Sequence, residues 1–181
     1  MRSLRITVYH STESQLFLLK DIPELNLLSS FYYSRVELYN LSLLGNIRVT
    51  LNLDIIRIDE SGLPSQLRHL ELVDCDQIGK IINEGKTYIF RHLQTLHIRN
   101  CSIEHVNGLG DIPTIILQDC FKLHDISGLG RNRCVELREC SQIRDVSSLA
   151  TVPIVTIRNC EGIVDYSCLS SVPRLKIVRR L

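Results

Sequence analysis

Tryptophan is absent from this 181-residue chain, methionine occurs once, and aromatic residues make up only 6% of it. Nucleic-acid binding usually needs aromatic platforms and an excess of basic residues, whereas the formal net charge here is only +1. No apolar run reaches the length of about 20 residues that a membrane-spanning helix requires. We therefore expect neither a nucleic acid nor a membrane as a partner.

The chain also lacks the marks of a secreted protein. Its first residues, MRSLRITVYHSTESQ, contain neither the apolar segment nor the small-residue cleavage site of a secretory signal. Seven cysteines are an odd number, so we expect reduced thiols and a cytoplasmic location, with a disulfide framework as the alternative. The hydrophobic share of 44% and the charged share of 23% are ordinary for a globular chain with a core.

What the chain does have is an internal repeat. Cys101, Cys120, Cys140 and Cys160 follow one another at steps of 19, 20 and 20 residues. An aliphatic pair stands five and three residues before each cysteine, and further aliphatic residues follow it. The same frame, with less regular steps, covers the whole chain, and its pairs are Leu4/Ile6, Leu25/Leu27, Ile47/Val49, Leu70/Leu72, Leu96/Ile98, Ile115/Leu117, Val135/Leu137, Val155/Ile157 and Leu175/Ile177.

An apolar–polar–apolar triplet is typical of a strand with one buried face. A strand of this kind cannot bury that face alone, so repeated strands are expected to stack side by side in one parallel sheet. Because each repeat is only about twenty residues long, the return of the chain should consist of extended segments and turns. Only TESQLFLLKDI, residues 12–22, favours a longer helix.

The pattern resembles the leucine-rich repeat, L-x-L-x-x-N/C-x-x-I, in the short cysteine-type variant of protist and large-DNA-virus proteins. CSQIRDVSSL and CFKLHDISGL carry the resemblance. It implies an α/β fold: a leucine-rich-repeat solenoid, or horseshoe, with a parallel β-sheet on the concave face and mostly turns or short helices on the convex side. We expect one solenoid over residues 1–181, with degenerate coils in 1–62, regular repeats in 63–173 and an incomplete last coil in 174–181.

In such coils the cysteine turns inward at the end of the strand, where a small side chain can bond to the backbone. Asn52 would play the same part in the third coil. Asp125, Asp145 and Asp165 recur as well, each two residues before a serine, and short acceptors at that place can bind the N–H groups of a turn. We interpret both series as structural.

No set of residues predicts catalysis or a metal site. Cysteines in a ladder lie in a row, whereas zinc needs four converging ligands. Cys134 and Cys168, which lie off the ladder and should be more accessible, have no neighbouring base. GKT at 85–87 resembles the end of a phosphate-binding loop, but Lys80 occupies the place of its first glycine. The six histidines form no recognisable set with serine, aspartate or glutamate; they are His10, His69, His92, His97, His105 and His124. For these reasons we expect no enzyme activity, cofactor or metal.

The segment 79–91 makes one coil 26 residues long and is interpreted as a loop insertion. Insertions in repeat proteins fall on one face. They either bind a partner or form a bulge without function, and the sequence leaves both readings open.

Strand residues that face away from the core form the expected contact surface. Arg99, Arg138 and Arg158 recur at one strand position, where guanidinium groups could bind carboxylates or phosphates, although acidic neighbours argue for internal compensation. The expected function is a non-enzymatic protein–protein interaction module, a scaffold with a rigid concave sheet. The alternative is a structural subunit of a larger assembly, such as a virus particle or an organellar complex. The candidate partner-binding residues are His97, Arg99, Gln118, Glu136, Arg138, Thr156, Arg158 and Lys176.

The final stretch, PRLKIVRRL, contains a predicted strand with no closing turn or helix after it. Leu175 and Ile177 would then lie on an open sheet edge. The basic residues around them, Arg174 and Lys176 among them, would either repel a second copy or border an interface. We expect a partner, or self-association, at this edge.

Overall fold

The computed structural model of this chain describes residues 68–75 and 77–180, together with the backbone of three short strands nearer the start. All strands run parallel in one sheet, and each pairs with the strand that follows it in the sequence. The predicted parallel sheet is thereby confirmed. The strands are β1 (Leu4–Val8), β2 (Glu24–Ser29), β3 (Arg48–Asn52), β4 (His69–Val73), β5 (Thr95–Arg99), β6 (Thr114–Gln118), β7 (Cys134–Arg138), β8 (Ile154–Arg158) and β9 (Arg174–Val178).

The strands from β4 to β8 alternate between buried and partly exposed residues. Their second and fourth residues are buried and the other three are not, as the period of two in a strand requires. Leu70 and Leu72 of β4 lie beside Leu96 and Ile98 of β5, and all four are at most 2% exposed. The predicted aliphatic pairs are therefore the inward residues of this part of the sheet.

The chain returns from each strand to the next with little helix. Short 3₁₀ helices occupy Ser127–Leu129, Ser147–Thr151 and Ser167–Leu169, and their leucines are buried against the sheet. At each of these helices an aspartate accepts a hydrogen bond from a serine N–H two residues on; Ser147 N donates to Asp145 Oδ1 at 2.8 Å. The predicted role of the aspartates is confirmed. The predicted helix at 12–22 lies outside the described residues.

The prediction of a loop insertion at 79–91 is wrong, because most of this segment is helical. An α-helix, α1 (Gln77–Asn83), is followed by a 3₁₀ helix, Lys86–Phe90. Ile78 and Ile82, one helical turn apart, are buried, and so is Phe90, which is 0% exposed. Apolar residues at this spacing cover the core with one helix face, so the longer coil adds to the core instead of bulging from it.

The predicted position of the aliphatic pair in β3 is wrong by two residues. Val49 is in register with Leu70, so the paired positions of β3 are Val49 and Leu51 rather than Ile47 and Val49. A shift of two keeps the same face of a strand, so alternation alone could not distinguish these two frames. Asn52 consequently lies within the strand and not at the position of the cysteine anchor.

Each strand from β4 to β8 is followed directly by a residue with left-handed backbone conformation, a feature that the sequence analysis missed. The φ angles lie between 50° and 54°, a region that asparagine and aspartate enter more readily than other side-chain-bearing residues. The backbone N–H of each donates to the last carbonyl of the next strand, as Asn100 N does to Gln118 O at 2.9 Å. The series consists of Asp74, Asn100, Asp119, Glu139 and Asn159.

The left-handed turn directs the next residue, the cysteine, back into the core. Cys75, Cys101, Cys120, Cys140 and Cys160 are all at most 4% exposed. The Cys140 thiol donates to Arg138 O at 3.3 Å and Leu117 O at 3.6 Å, which confirms the predicted bonding to backbone. A hydrogen bond with the Cys120 thiol raises the pKa of Cys140 to about 12, so Cys140 stays in the thiol form.

Replacement of Asn100 by alanine tests the left-handed turn. We expect Asn100→Ala to lower the free energy of unfolding by about 1–2 kcal/mol, because alanine lacks the short polar side chain that makes this conformation accessible to asparagine and that donates to Asp74 Oδ1. Asn107→Ala is the matched control, since Asn107 is exposed and is not among the residues with positive φ. Chemical denaturation measures both, and equal effects would contradict the assignment.

Candidate interaction surface

The face of the sheet that points away from the core is called the open face here. It consists of the first, third and fifth residues of β4 to β9. All eight predicted partner-binding residues lie on this face: four at the third strand position (His97, Glu136, Thr156, Lys176) and four at the fifth (Arg99, Gln118, Arg138, Arg158). The repeat thus brings residues up to 79 positions apart in the sequence onto one surface.

Glu136 is the centre of one charged cluster on the open face. Arg158 donates a hydrogen bond from Nε to Glu136 Oε1 at 3.0 Å, and Arg138 Nε lies 2.8 Å from the same oxygen. Arg138 also donates from Nη1 to Gln118 Oε1 at 3.3 Å. The hydrogen bond with Arg138 is the main reason why the pKa of Glu136 is lowered, so this carboxylate carries its charge at neutral pH.

Glu71 is the centre of a second cluster, one with looser contacts. His97 Nδ1 lies 3.2 Å from Glu71 Oε1, and Arg99 Nε lies 3.9 Å from it. Burial lowers the pKa of His97, and the neighbouring arginines add to that, although Glu71 opposes it; the imidazole is therefore mostly neutral at pH 7. The Nε atom of Arg99 is buried and has no hydrogen-bond partner among the described residues.

The residues with left-handed conformation form a row beyond the strand ends, which we call the rim. Acidic neighbours compensate the arginines as predicted, but these neighbours are Glu71 and Glu136 of the open face. The rim carboxylates are bonded to other groups, mostly amides, and Glu139 also accepts from Arg180 Nη2 at 3.0 Å. Asp74 accepts from Asn100 Nδ2, Asp119 from Gln118 Nε2 at 3.1 Å, and Glu139 from Asn159 Nδ2. The arginines of the open face pair with Glu71 and Glu136 of their own face instead.

No group of three or more histidine, cysteine, aspartate or glutamate side chains in the described part of the chain is arranged to hold a metal ion. Cys168 is exposed as predicted, whereas Cys134 is half-buried, and burial raises its pKa. Lys86 Nζ pairs with Glu84 at 2.8 Å within the helical segment. Among the described helices, none has the length and apolar character to cross a bilayer.

No protein-family model, curated protein or solved structure matches this chain. The functional interpretation therefore depends on the geometry of the open face.

Removal of the Glu136 carboxylate tests the charged cluster. We expect Glu136→Gln to lower the free energy of unfolding at pH 7 by about 1 kcal/mol, because two arginines lose a shared partner that is only partly shielded from water. Because the pKa of Glu136 is lowered in the folded chain, this contribution is complete above the unfolded value of 4.5. The difference from the parent chain should shrink as the pH falls below 4.5 and be lost as the pH passes through the lower folded pKa.

The matched control is Asp111→Asn, which removes a pair with Arg131 at 2.9 Å whose side chains are 75% and 76% exposed. Such a pair contributes little, and a shift below about 0.5 kcal/mol is expected. Urea denaturation at pH 7 and pH 3 measures both variants. A Glu136→Gln effect that persists unchanged at pH 3 would contradict the electrostatic explanation.

Proposed function

We propose that this chain is a leucine-rich-repeat solenoid whose sheet presents a concave, non-enzymatic binding surface for another protein. The observation that carries the proposal is the open face itself. One side of the sheet is closed by buried aliphatic residues and cysteines, whereas the other side holds partly exposed polar residues in fixed rows. A sheet of this kind has one side available for recognition.

Rigidity supports the same proposal. Backbone hydrogen bonds join every strand from β4 to β9 to its neighbour, and further bonds join the rim turns to the next strand. Side chains in adjacent strands stand about 4.8 Å apart, so their relative positions are set before a partner arrives. Preorganisation of this kind lowers the entropic cost of association.

Site-specific photo-crosslinking in cells of the native source tests the proposal. A photo-reactive phenylalanine analogue in place of Thr156 lies in the middle of the open face, between Glu136 and Lys176 in register. The same analogue in place of Arg144, which is exposed and outside the strands, is the matched control. We expect a defined protein adduct from position 156, and we expect that the same adduct does not form from position 144. Equal adducts from both positions, or none from 156, would contradict the proposal.

The alternative function, a structural subunit of a larger assembly, is favoured by β9. Its inward residues Leu175 and Ile177 are each 37% exposed, whereas the corresponding residues of β8 are at most 1% exposed. A further strand beside β9 would cover them, and either another protein or another part of the same polypeptide could supply it. In the crosslinking experiment, permanent assembly predicts that the adduct partner also co-purifies without irradiation.

A further inference from the structure

We propose that the segment bound on the open face is an acidic stretch of polypeptide, held through its carboxylates by Arg99, Arg138 and Arg158. The inference rests on the proposed function and adds the chemistry of the partner. It follows from three features of the open face: its charge, its unused donors and its boundary.

The charge of the open face differs from that of the whole chain. From β4 to β9 it carries five cationic side chains, Arg99, Arg138, Arg158, Arg174 and Lys176, against two carboxylates, Glu71 and Glu136. The complete chain has a formal net charge of only +1. Positive charge is therefore concentrated on the open face, which makes it complementary to an anionic partner.

In the part of the chain that the structure describes, the three arginines have more N–H donors than their recorded contacts use. A guanidinium group has five N–H donors, yet from β4 to β9 the open face has only two carboxylates for the three groups. Arg158 uses Nε for Glu136, and the nearest carboxylate oxygen to Arg99 Nε is 3.9 Å away. Their side chains are 35–43% exposed. Forked donors in this state can bind further carboxylates in pairs of hydrogen bonds.

The boundary of the open face favours a polypeptide over a nucleic acid. The rim places Asp74, Asp119 and Glu139 directly beyond the arginine row, where the continuous phosphates of a polynucleotide would meet like charge. The third and first strand positions supply Ile116 and Ile154 but no aromatic side chain for base stacking. A short extended segment can place carboxylates on the arginines and an aliphatic side chain near Ile116.

The spacing of the arginines suits such a segment. Arg138 and Arg158 are direct neighbours in adjacent strands, about 4.8 Å apart along the sheet, and Arg99 lies two strands from Arg138. Side chains on one side of an extended peptide recur at about 6.6–6.8 Å. Acidic residues at every second or third position could therefore reach all three guanidinium groups.

Fluorescence anisotropy with two labelled peptides tests the inference on the purified chain. The probes are EEDLEDE and its uncharged twin QQNLQNQ, and a thymidine oligonucleotide represents nucleic acid. We expect the acidic peptide to bind at least tenfold more tightly than the twin or the oligonucleotide, and its affinity to fall as NaCl is raised. The double variant Arg99→Gln/Arg158→Gln should weaken binding by about tenfold or more, because it removes two charge-assisted contacts.

Arg144→Gln is the matched control, since it removes one exposed arginine outside the strands, and it should leave the affinity unchanged. Glu136 keeps Arg138 in the double variant, so the fold should persist, which thermal unfolding checks. If the double variant does not fold, the inference is tested on the parent chain alone, by the dependence of affinity on NaCl and by the comparison of the acidic peptide with its uncharged twin. Equal binding of both peptides, tighter binding of the oligonucleotide, or equal loss in Arg144→Gln would overturn the inference.

The crosslinking experiment separates this inference from the proposed function. A protein adduct at position 156 whose crosslinked segment lacks acidic residues would overturn the inference and leave the binding function standing. The absence of any adduct at that position would overturn the proposed function itself.

Discussion

The structure depends on one constraint: the two aliphatic side chains of each short strand are buried only when the neighbouring strands and the return segments pack against them. Leu96 and Ile98, for example, lie between Leu70/Leu72 on one side and Ile115/Leu117 on the other. Parallel pairing satisfies this packing and the backbone hydrogen bonds at the same time. The segment that connects two strands must then return the chain to the edge of the sheet where the next parallel strand begins. The near-constant step of about twenty residues reflects that requirement.

The turn after each strand shows how a local feature serves this constraint. A left-handed residue directly follows the strand and donates its N–H to the next strand, and the cysteine after it turns into the core. Cysteine suits this place because it is small and apolar and can still donate weakly to a carbonyl. The same turn leaves Asn100 and the other rim residues beside the open face, where Asn100 donates to Asp74 and Asn159 donates to Glu139. The arginines of the open face pair with Glu71 and Glu136, but they outnumber these two carboxylates and their side chains remain 35–43% exposed, which is the basis of the proposed acidic partner.

The sequence predicted the parallel sheet and its inward residues well wherever two independent signals coincided. From Leu70 to Ile157 the aliphatic pair and the cysteine both mark the frame, and the structure follows it. In β3 only alternation was present, and alternation cannot detect a shift of two residues, so Val49 and Leu51 replaced the predicted pair. The helix at Gln77–Asn83 was missed because a long coil was read as an insertion, although Ile78 and Ile82 already had helical spacing. The rim was missed because Asp, Asn and Glu were considered only as charges, whereas their recurrence one residue before each cysteine is a backbone signal.

Deletion of one whole repeat tests most directly whether the strands form equivalent, stacked units. Removal of residues 135–154 joins Cys134 to Val155 and takes out 20 residues, one complete step. If the units are equivalent, the shortened chain should keep its β-sheet circular dichroism and a cooperative unfolding transition, because β6 then meets β8 in the register that β7 had. Removal of only 135–144, half a step, should abolish both and serves as the control. Loss of cooperative unfolding after the full-step deletion, to the same extent as after the half-step deletion, would contradict the stacked arrangement.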